Sequence, residues 1–160
     1  MPLSLKIITP ERVVFDESSV DSVTLPGSEG ELTILPRHAA LMTALRPGPL
    51  TFRSGSMETD VSLSGGFLEV RDNQVIILAD AAERSEELDA ARAEEARRRA
   101  ANLLATREGD VDVAAVMASL ERATARLRVI ERRRRRGSGP TPPPRQEQAP
   151  PRQEPPRTES

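Results

Sequence analysis

Residues 75–99 read VIILADAAERSEELDAARAEEARRR, and the character of the chain changes inside them. Up to Leu78 the run is aliphatic and β-branched, as in a buried strand. From Ala81 to Arg136 there is no Pro, one Gly, and an abundance of Ala, Glu and Arg, all strong helix formers except the glycine. The stretch therefore marks a junction between an all-β front and an all-α back, and predicts an α+β chain.

Upstream of the junction, Leu3, Leu5 and Ile7 alternate with Ser4, Lys6 and Ile8, the period of a half-buried strand. Short apolar runs follow at Val13–Phe15, Val20–Leu25, Leu32–Leu35, Leu41–Leu45, Leu50–Arg53, Val61–Leu63, Phe67–Val70 and Val75–Leu78. Turn formers separate them: Pro26-Gly27, Pro47-Gly48, Ser54-Gly55, Gly65-Gly66 and Asp72-Asn73. This spacing predicts a sandwich or barrel, and the absence of interleaved helices argues against a doubly wound parallel sheet.

Downstream, Ser85 is the expected N-cap of a first helix over Glu86–Thr106, with Glu86 and Glu87 at its positive end. Gly109, Asp110 and Asp112 mark a turn, and either Asp suits the cap of a second helix over Val113–Arg135. Val113, Val116, Leu120, Ala123, Leu127 and Ile130 step by threes and fours, a narrow seam for one partner helix. The first helix offers a poorer seam of Leu88, Ala96, Ala100, Leu103 and Leu104. The two form an antiparallel hairpin of marginal stability, because short helices depend on tertiary packing. Residues 137–160 hold 8 of the 14 prolines, with Gln, Glu and Arg, and read as a disordered tail. The units are then 1–84, 85–136 and 137–160.

Composition narrows the chemistry. Of 160 residues, aromatics are 2%, with no Trp or Tyr, so the core must come from aliphatics and three Phe. No Cys excludes disulfides and thiolate metal sites and suits a reducing cytoplasm. No secretory h-region opens the chain, and no run approaches the roughly 18 apolar residues of a membrane span. Residues 1–87 carry 7 basic and 14 acidic side chains; residues 88–136 carry 13 and 8. That asymmetry points to two segments with different partners. Lys6 is the only Lys among 23 basic residues, which a GC-rich coding bias would also produce.

Pro26-Gly27-Ser28-Glu29-Gly30-Glu31 precedes Ile34-Leu35-Pro36-Arg37-His38-Ala39-Ala40-Leu41, and Gly65-Gly66-Phe67-Leu68-Glu69-Val70 and Leu78-Ala79-Asp80 follow. The helical part opens on Leu88-Asp89-Ala90-Ala91-Arg92-Ala93 and closes on Leu120-Glu121-Arg122-Ala123 and Arg126-Leu127. In this order the motifs resemble the epsilon subunit of F-type ATP synthases of bacteria and chloroplasts, over about residues 1–135. Ala40 departs from the pattern, where Pro is usual after His38-Ala39, and the proline-rich tail lies outside it. The resemblance implies a ten-stranded β-sandwich with a C-terminal two-helix domain, on a rotating central stalk bound to gamma and the c-ring. It implies a peripheral place on the cytoplasmic face of the cell membrane, without direct membrane insertion. It further implies a hairpin that folds down on the sandwich or extends along gamma, the extended form inhibiting ATP hydrolysis.

Weighed as chemistry, His38 is the only histidine and has no ligand spacing around it, so no metal site is expected. The resemblance sets Glu31 and His38 against the c-ring, while the plain reading makes His38 structural. The glycines lack the G-x-x-x-x-G-K-[ST] pattern and serve turns. No nucleophile–base pair or paired carboxylate stands out, so no catalytic residue and no required cofactor are expected. Asp89, Arg92, Ala96 and Arg99 share one helix face, and Arg122 and Arg126 are one turn apart on the next helix. Guanidinium forks bind phosphate oxygens, and a carboxylate can accept from an adenine amino group. The set resembles the ATP-binding site of some bacterial epsilon subunits, the matching positions being Glu83, Leu88, Asp89, Arg92, Ala93, Arg99, Arg122 and Arg126. The plain alternative is a solvated face of Glu–Arg pairs.

The run Arg132–Arg136 admits three readings. It is a solvated helix end complementing the dipole, a nucleic-acid contact, or, by resemblance, a surface for acidic segments of the catalytic alpha and beta subunits. The nucleic-acid reading is weak, since no aromatics are interleaved and the chain is acidic overall. The expected function is a non-catalytic rotor subunit with ATP sensing. The competing expectation is a stand-alone nucleotide-sensing β-sandwich protein.

Overall fold

A computed structural model describes residues 1–106 and 109–137. Eight strands come first: β1 Leu3–Ile8, β2 Val13–Val20, β3 Ser22–Gly27, β4 Gly30–Ile34, β5 Leu41–Ser54, β6 Met57–Arg71, β7 Gln74–Ala79 and β8 Ala82–Arg84. A 3-10 turn at Ser85–Glu87 leads to α1 Ala90–Thr106 and α2 Val113–Gly137. The α+β order expected from the junction at residues 75–99 is what the chain adopts. The expected disordered tail, 137–160, lies almost wholly outside the described residues.

The strands run in the order β2-β1-β7-β6-β5-β3-β4, with β8 added to β6. Two long strands turn this sequence of pairings into two layers. The C-terminal half of β6 pairs with β7 through Gly66–Arg71, and its N-terminal half pairs with β8 through Val61–Leu63. The bend falls at Gly65 and Gly66, at φ 108° and 142°. A Cβ on Gly66 would stand 2.1 Å from the Leu78 carbonyl oxygen, so only glycine fits there. Opposite, Pro47 and Gly48 of β5 face Ser64 and Leu63 across the same bend.

The count differs from the expected ten because both long strands cross the bend unbroken. Leu41–Leu45 and Leu50–Arg53 are one strand, as are Val61–Leu63 and Phe67–Val70. The expected Val20–Leu25 run instead divides between β2 and β3 at Asp21. The turn Asp72-Asn73 has φ 50° and 62°, the left-handed pair that joins tight hairpins.

Leu3, Leu5, Ile7, Val23, Leu25, Ile34, Leu50, Leu63, Leu68 and Ile77 fill the space between the layers without exposure. Phe15 and Phe52 meet edge to face at 5.2 Å, and the Arg84 guanidinium covers Phe15 at 4.1 Å. The third Phe is elsewhere. Leu68 and Val70 point inward, so alternation turns Phe67 out.

The start of the first helix differs from expectation, and that of the second agrees with it. Ser85 does not cap; its hydroxyl donates to Glu86, and Leu88 is extended at ψ 133°. Asp89 caps α1 instead, accepting from the Ala91 amide at 2.9 Å. Asp112 caps α2 through the Ala115 amide at 3.2 Å. The second helix is also less simple than a one-partner seam. Ala123, Ala125, Val129 and Ile130 are all buried, because α2 packs on α1 and also against β5 and β6. Val113 is left exposed. The hairpin thus lies down on the sandwich.

Candidate functional site

Between α1 and α2 lies a cleft of about 340 Å³, floored by Ala96, Ala100, Leu103 and Val116 and rimmed by Arg99, Arg122 and Arg126. Small residues on both helices leave this gap, since alanine cannot fill the space between two helices bearing long side chains. The Arg126 guanidinium is already engaged. It donates to both oxygens of Glu83, at 2.6 and 2.8 Å, a fork closed on the end of the sandwich. That hydrogen-bonded contact raises the Arg126 pKa, against the opposing effect of burial. Arg122 donates to the Ser119 hydroxyl at 3.0 Å, and Arg99 pairs along its own helix with Glu95 at 2.9 Å. The cleft therefore gathers three guanidinium groups, of which Arg122, among the described residues, bonds to the neutral Ser119 hydroxyl.

The other expected nucleotide residues are placed differently. Arg92 is 88% exposed, 3.8 Å from Asp89, and does not line the cleft. Asp89 commits one oxygen to the cap of α1. Leu88 and Ala93 are buried with Val129 and Ile130 in a small apolar cluster that joins the hairpin to the junction. They shape the site from below and present no surface to a ligand in this arrangement. Arg99 and Ser119 line the same cleft, while Arg92 is turned away.

Glu31 lies at the start of β4, and His38 lies beyond its end, in the loop that follows. Glu31 borders a cleft against α2 that also includes Arg46, Leu120 and Arg128. His38 sits in the loop before β5, its amide donating to Leu35 and its Nδ1 2.7 Å from the Ala39 carbonyl. That loop is pinned by Arg37, at φ 65°, whose amide donates to the Asn73 side chain at 2.7 Å. Among the described residues no group of His, Cys, Asp or Glu could hold a metal ion. No described helix is long and apolar enough to cross a membrane.

Two features were not anticipated from sequence. Met42, Phe67 and Leu78, at 73%, 61% and 55% exposure, form an apolar patch with Ile76 on the outer face of β5, β6 and β7. The signal was present: adjacent Phe67 and Leu68 cannot both face the core of a strand. A contiguous exposed apolar patch of this kind is the usual mark of a contact surface. The second is a polar network beneath the end of α2, centred on Asp60, where Arg136 pairs at 2.6 Å and Thr51 donates at 2.6 Å. Nothing in the spacing of residues 60 and 136 could have revealed it.

Comparison with known proteins matches both units. The family described as ATP synthase, Delta/Epsilon chain, beta-sandwich domain covers residues 2–85. The companion long alpha-helix domain of the same chain covers residues 86–131. The ATP synthase epsilon chain of Dehalococcoides mccartyi is 52% identical over 132 residues, 82% of this chain and 94% of that one. That of Herpetosiphon aurantiacus is 46% identical over 133 residues, 83% and 97% of the two chains. Among solved structures, a chain of the Euglena gracilis mitochondrial ATP synthase, in an assembly of OSCP, F1 and c-ring, superposes with a TM-score of 0.68. It is 23% identical and covers 78% of each chain, and so supports the fold alone. Sandwich, helical hairpin and relatives agree, and the chain belongs to the ATP synthase delta/epsilon chain family.

Proposed function

We propose that this chain is a non-catalytic rotor subunit of the central stalk of a proton-translocating F-type ATP synthase. It joins gamma to the c-ring at the cytoplasmic face of the membrane, and its hairpin regulates ATP hydrolysis. The observation that carries the regulatory part is the cleft of Arg99, Arg122 and Arg126 between two helices that face each other there mainly through small residues. ATP bound there bridges α1 and α2 and favours the folded-down hairpin; the extended hairpin inhibits by laying its arginines against the alpha and beta subunits. A ligand shifts such an equilibrium only by its differential affinity for the two states. The cleft requires both helices, so that difference is most of the binding energy.

The outer patch of Met42, Phe67 and Leu78 is the surface we assign to gamma, and Glu31 and His38 to the c-ring. Co-purification tests the assembly. Stable retention of the chain on gamma, lost on Phe67→Asp, is the expected result. A chain that stays monomeric with gamma supplied contradicts it and favours a stand-alone nucleotide sensor.

A further inference from the structure

The last turns of α2 have no apolar means of holding to the sandwich. After Ile130 the sequence is Glu131-Arg132-Arg133-Arg134-Arg135-Arg136. Yet three of these arginines reach across. Val129, Arg132, Arg133 and Arg136 occupy one helix face, at steps of three, four and seven. Arg132 donates to the Thr51 hydroxyl at 3.0 Å, and Arg133 to the Ser85 carbonyl at 2.5 Å. Arg136 pairs with Asp60 at 2.6 Å and with Glu58 at 3.0 Å.

The receiving surface is built for this. The Asp60 side chain is only 2% exposed, on the stretch of β6 where Val61 and Leu63 are fully buried. Thr51, its cross-strand neighbour, donates to it and accepts from Arg132, so one hydroxyl links two charged groups. Glu58, one pleat away, is shared between Arg136 and Arg53, the latter at 2.7 Å. A carboxylate at this depth is tolerated only with a charged partner and filled hydrogen bonds. With the hairpin docked, α2 itself covers the carboxylate and supplies the cation.

We infer that Asp60, with Thr51 and Glu58, is a charge latch that sets the docked–released equilibrium of the hairpin by capturing Arg136 and Arg132. The inference rests on the movable hairpin proposed above, and is independent of nucleotide binding. It gives the arginine run a second role. In the docked state the latch neutralises the cations that the extended state would offer to an anionic partner, so one set of arginines serves either contact and never both. Because its Asp60 carboxylate is buried beneath the half-exposed Arg136, the latch resists moderate salt better than the exposed pairs of α1 do.

The test uses the full chain, which has no cysteine of its own. Spin labels at Ser18→Cys on β2 and Asn102→Cys on α1 report the distance between sandwich and hairpin. Asp60→Asn and Arg136→Gln are each expected to raise the released fraction about tenfold or more, the scale expected when a buried carboxylate and its cation are parted. Arg136→Gln lies on an exposed helix end and leaves the sandwich sequence intact, which guards against simple misfolding. Asp60→Arg should release the hairpin, and adding Arg136→Asp should restore docking. Unchanged distances in Asp60→Asn and Arg136→Gln overturn the latch, as does failure of the reversed pair to rescue. Arg126→Gln separates the two ideas. Release there, but not in the latch variants, refutes the latch alone; no release in any variant, even at about 1 M salt, refutes the movable hairpin too.

Discussion

At the scale of single residues, backbone geometry and charge make the sharpest demands. Gly66 is required by a carbonyl 2.1 Å from where its Cβ would be and by a φ of 142°. Gly66→Ala should cost about 2 kcal/mol or more, seen as a lower urea midpoint of the full chain. In the proposed site Arg122, bonded to the neutral Ser119 hydroxyl, is the more readily available group for a phosphate, and Arg126 must first leave Glu83. Arg126→Ala should weaken ATP binding by about 1.5–3 kcal/mol in calorimetry, the scale of charged hydrogen bonds. Arg92→Ala, exposed and off the cleft, should cost under about 0.5 kcal/mol. Equal losses for the two would show that the cleft is not the site.

Acid sensitivity also belongs to named residues. The hydrogen bond from Arg53 first, then Arg136 and Arg132 by charge, hold Glu58 below the ordinary carboxylate range, with burial opposing. Arg12 does the same for Glu87, again against burial. A carboxylate whose pKa is lower when folded stabilises fully above its unfolded value, and loses that contribution as pH falls through the folded value. Stability should therefore hold steady above the ordinary glutamate value of about 4.5 and decline below it. Urea midpoints measured across that range check this, and Glu58→Gln should flatten the decline.

Elements show where sequence was readable and where it was not. Strand alternation in β1, the turn at Asp72-Asn73 and the helical composition after Ala81 are local properties, and each predicted its element. The helix N-terminus at Asp89 was misplaced to Ser85 because both residue types cap; the choice depends on Leu88 being buried with Val129 and Ile130, a contact about 40 positions away. The second face of α2 was hidden for a related reason. Its polar half is arginine, which reads as solvent-facing until the carboxylates beneath it are known. β8 brings its own consequence. Ala82–Arg84 pairs with Val61–Leu63 and places Arg84 over Phe15, so a sandwich fragment must extend past Ala82. A fragment ending at Glu87 should fold cooperatively. One ending at Ala82 should be less stable by about 1–2 kcal/mol, read from denaturant midpoints.

Taken as a whole, the molecule answers its own charge asymmetry. The acidic sandwich and the basic hairpin, which the sequence suggested were meant for separate partners, meet each other in the docked state through Glu83–Arg126, Glu58–Arg136 and Asp60–Arg136. Net charge along the chain could show that two segments differ, but not that they neutralise one another, since that depends on how the hairpin folds back. The proposed nucleotide cleft was legible only in part for the same reason: Arg99, Arg122 and Arg126 rim one cleft, while Arg92 faces water. In the proposed subunit, assembly would be served by the sandwich and regulation by a hairpin held to it both by the buried Val129 and Ile130 and by ion pairs. The direct test is ATP hydrolysis by the assembled synthase carrying either the full chain or a chain ending at Glu87. The account predicts that both chains are retained with gamma and that hydrolysis rises with the shortened one. Equal hydrolysis with both chains retained would contradict it.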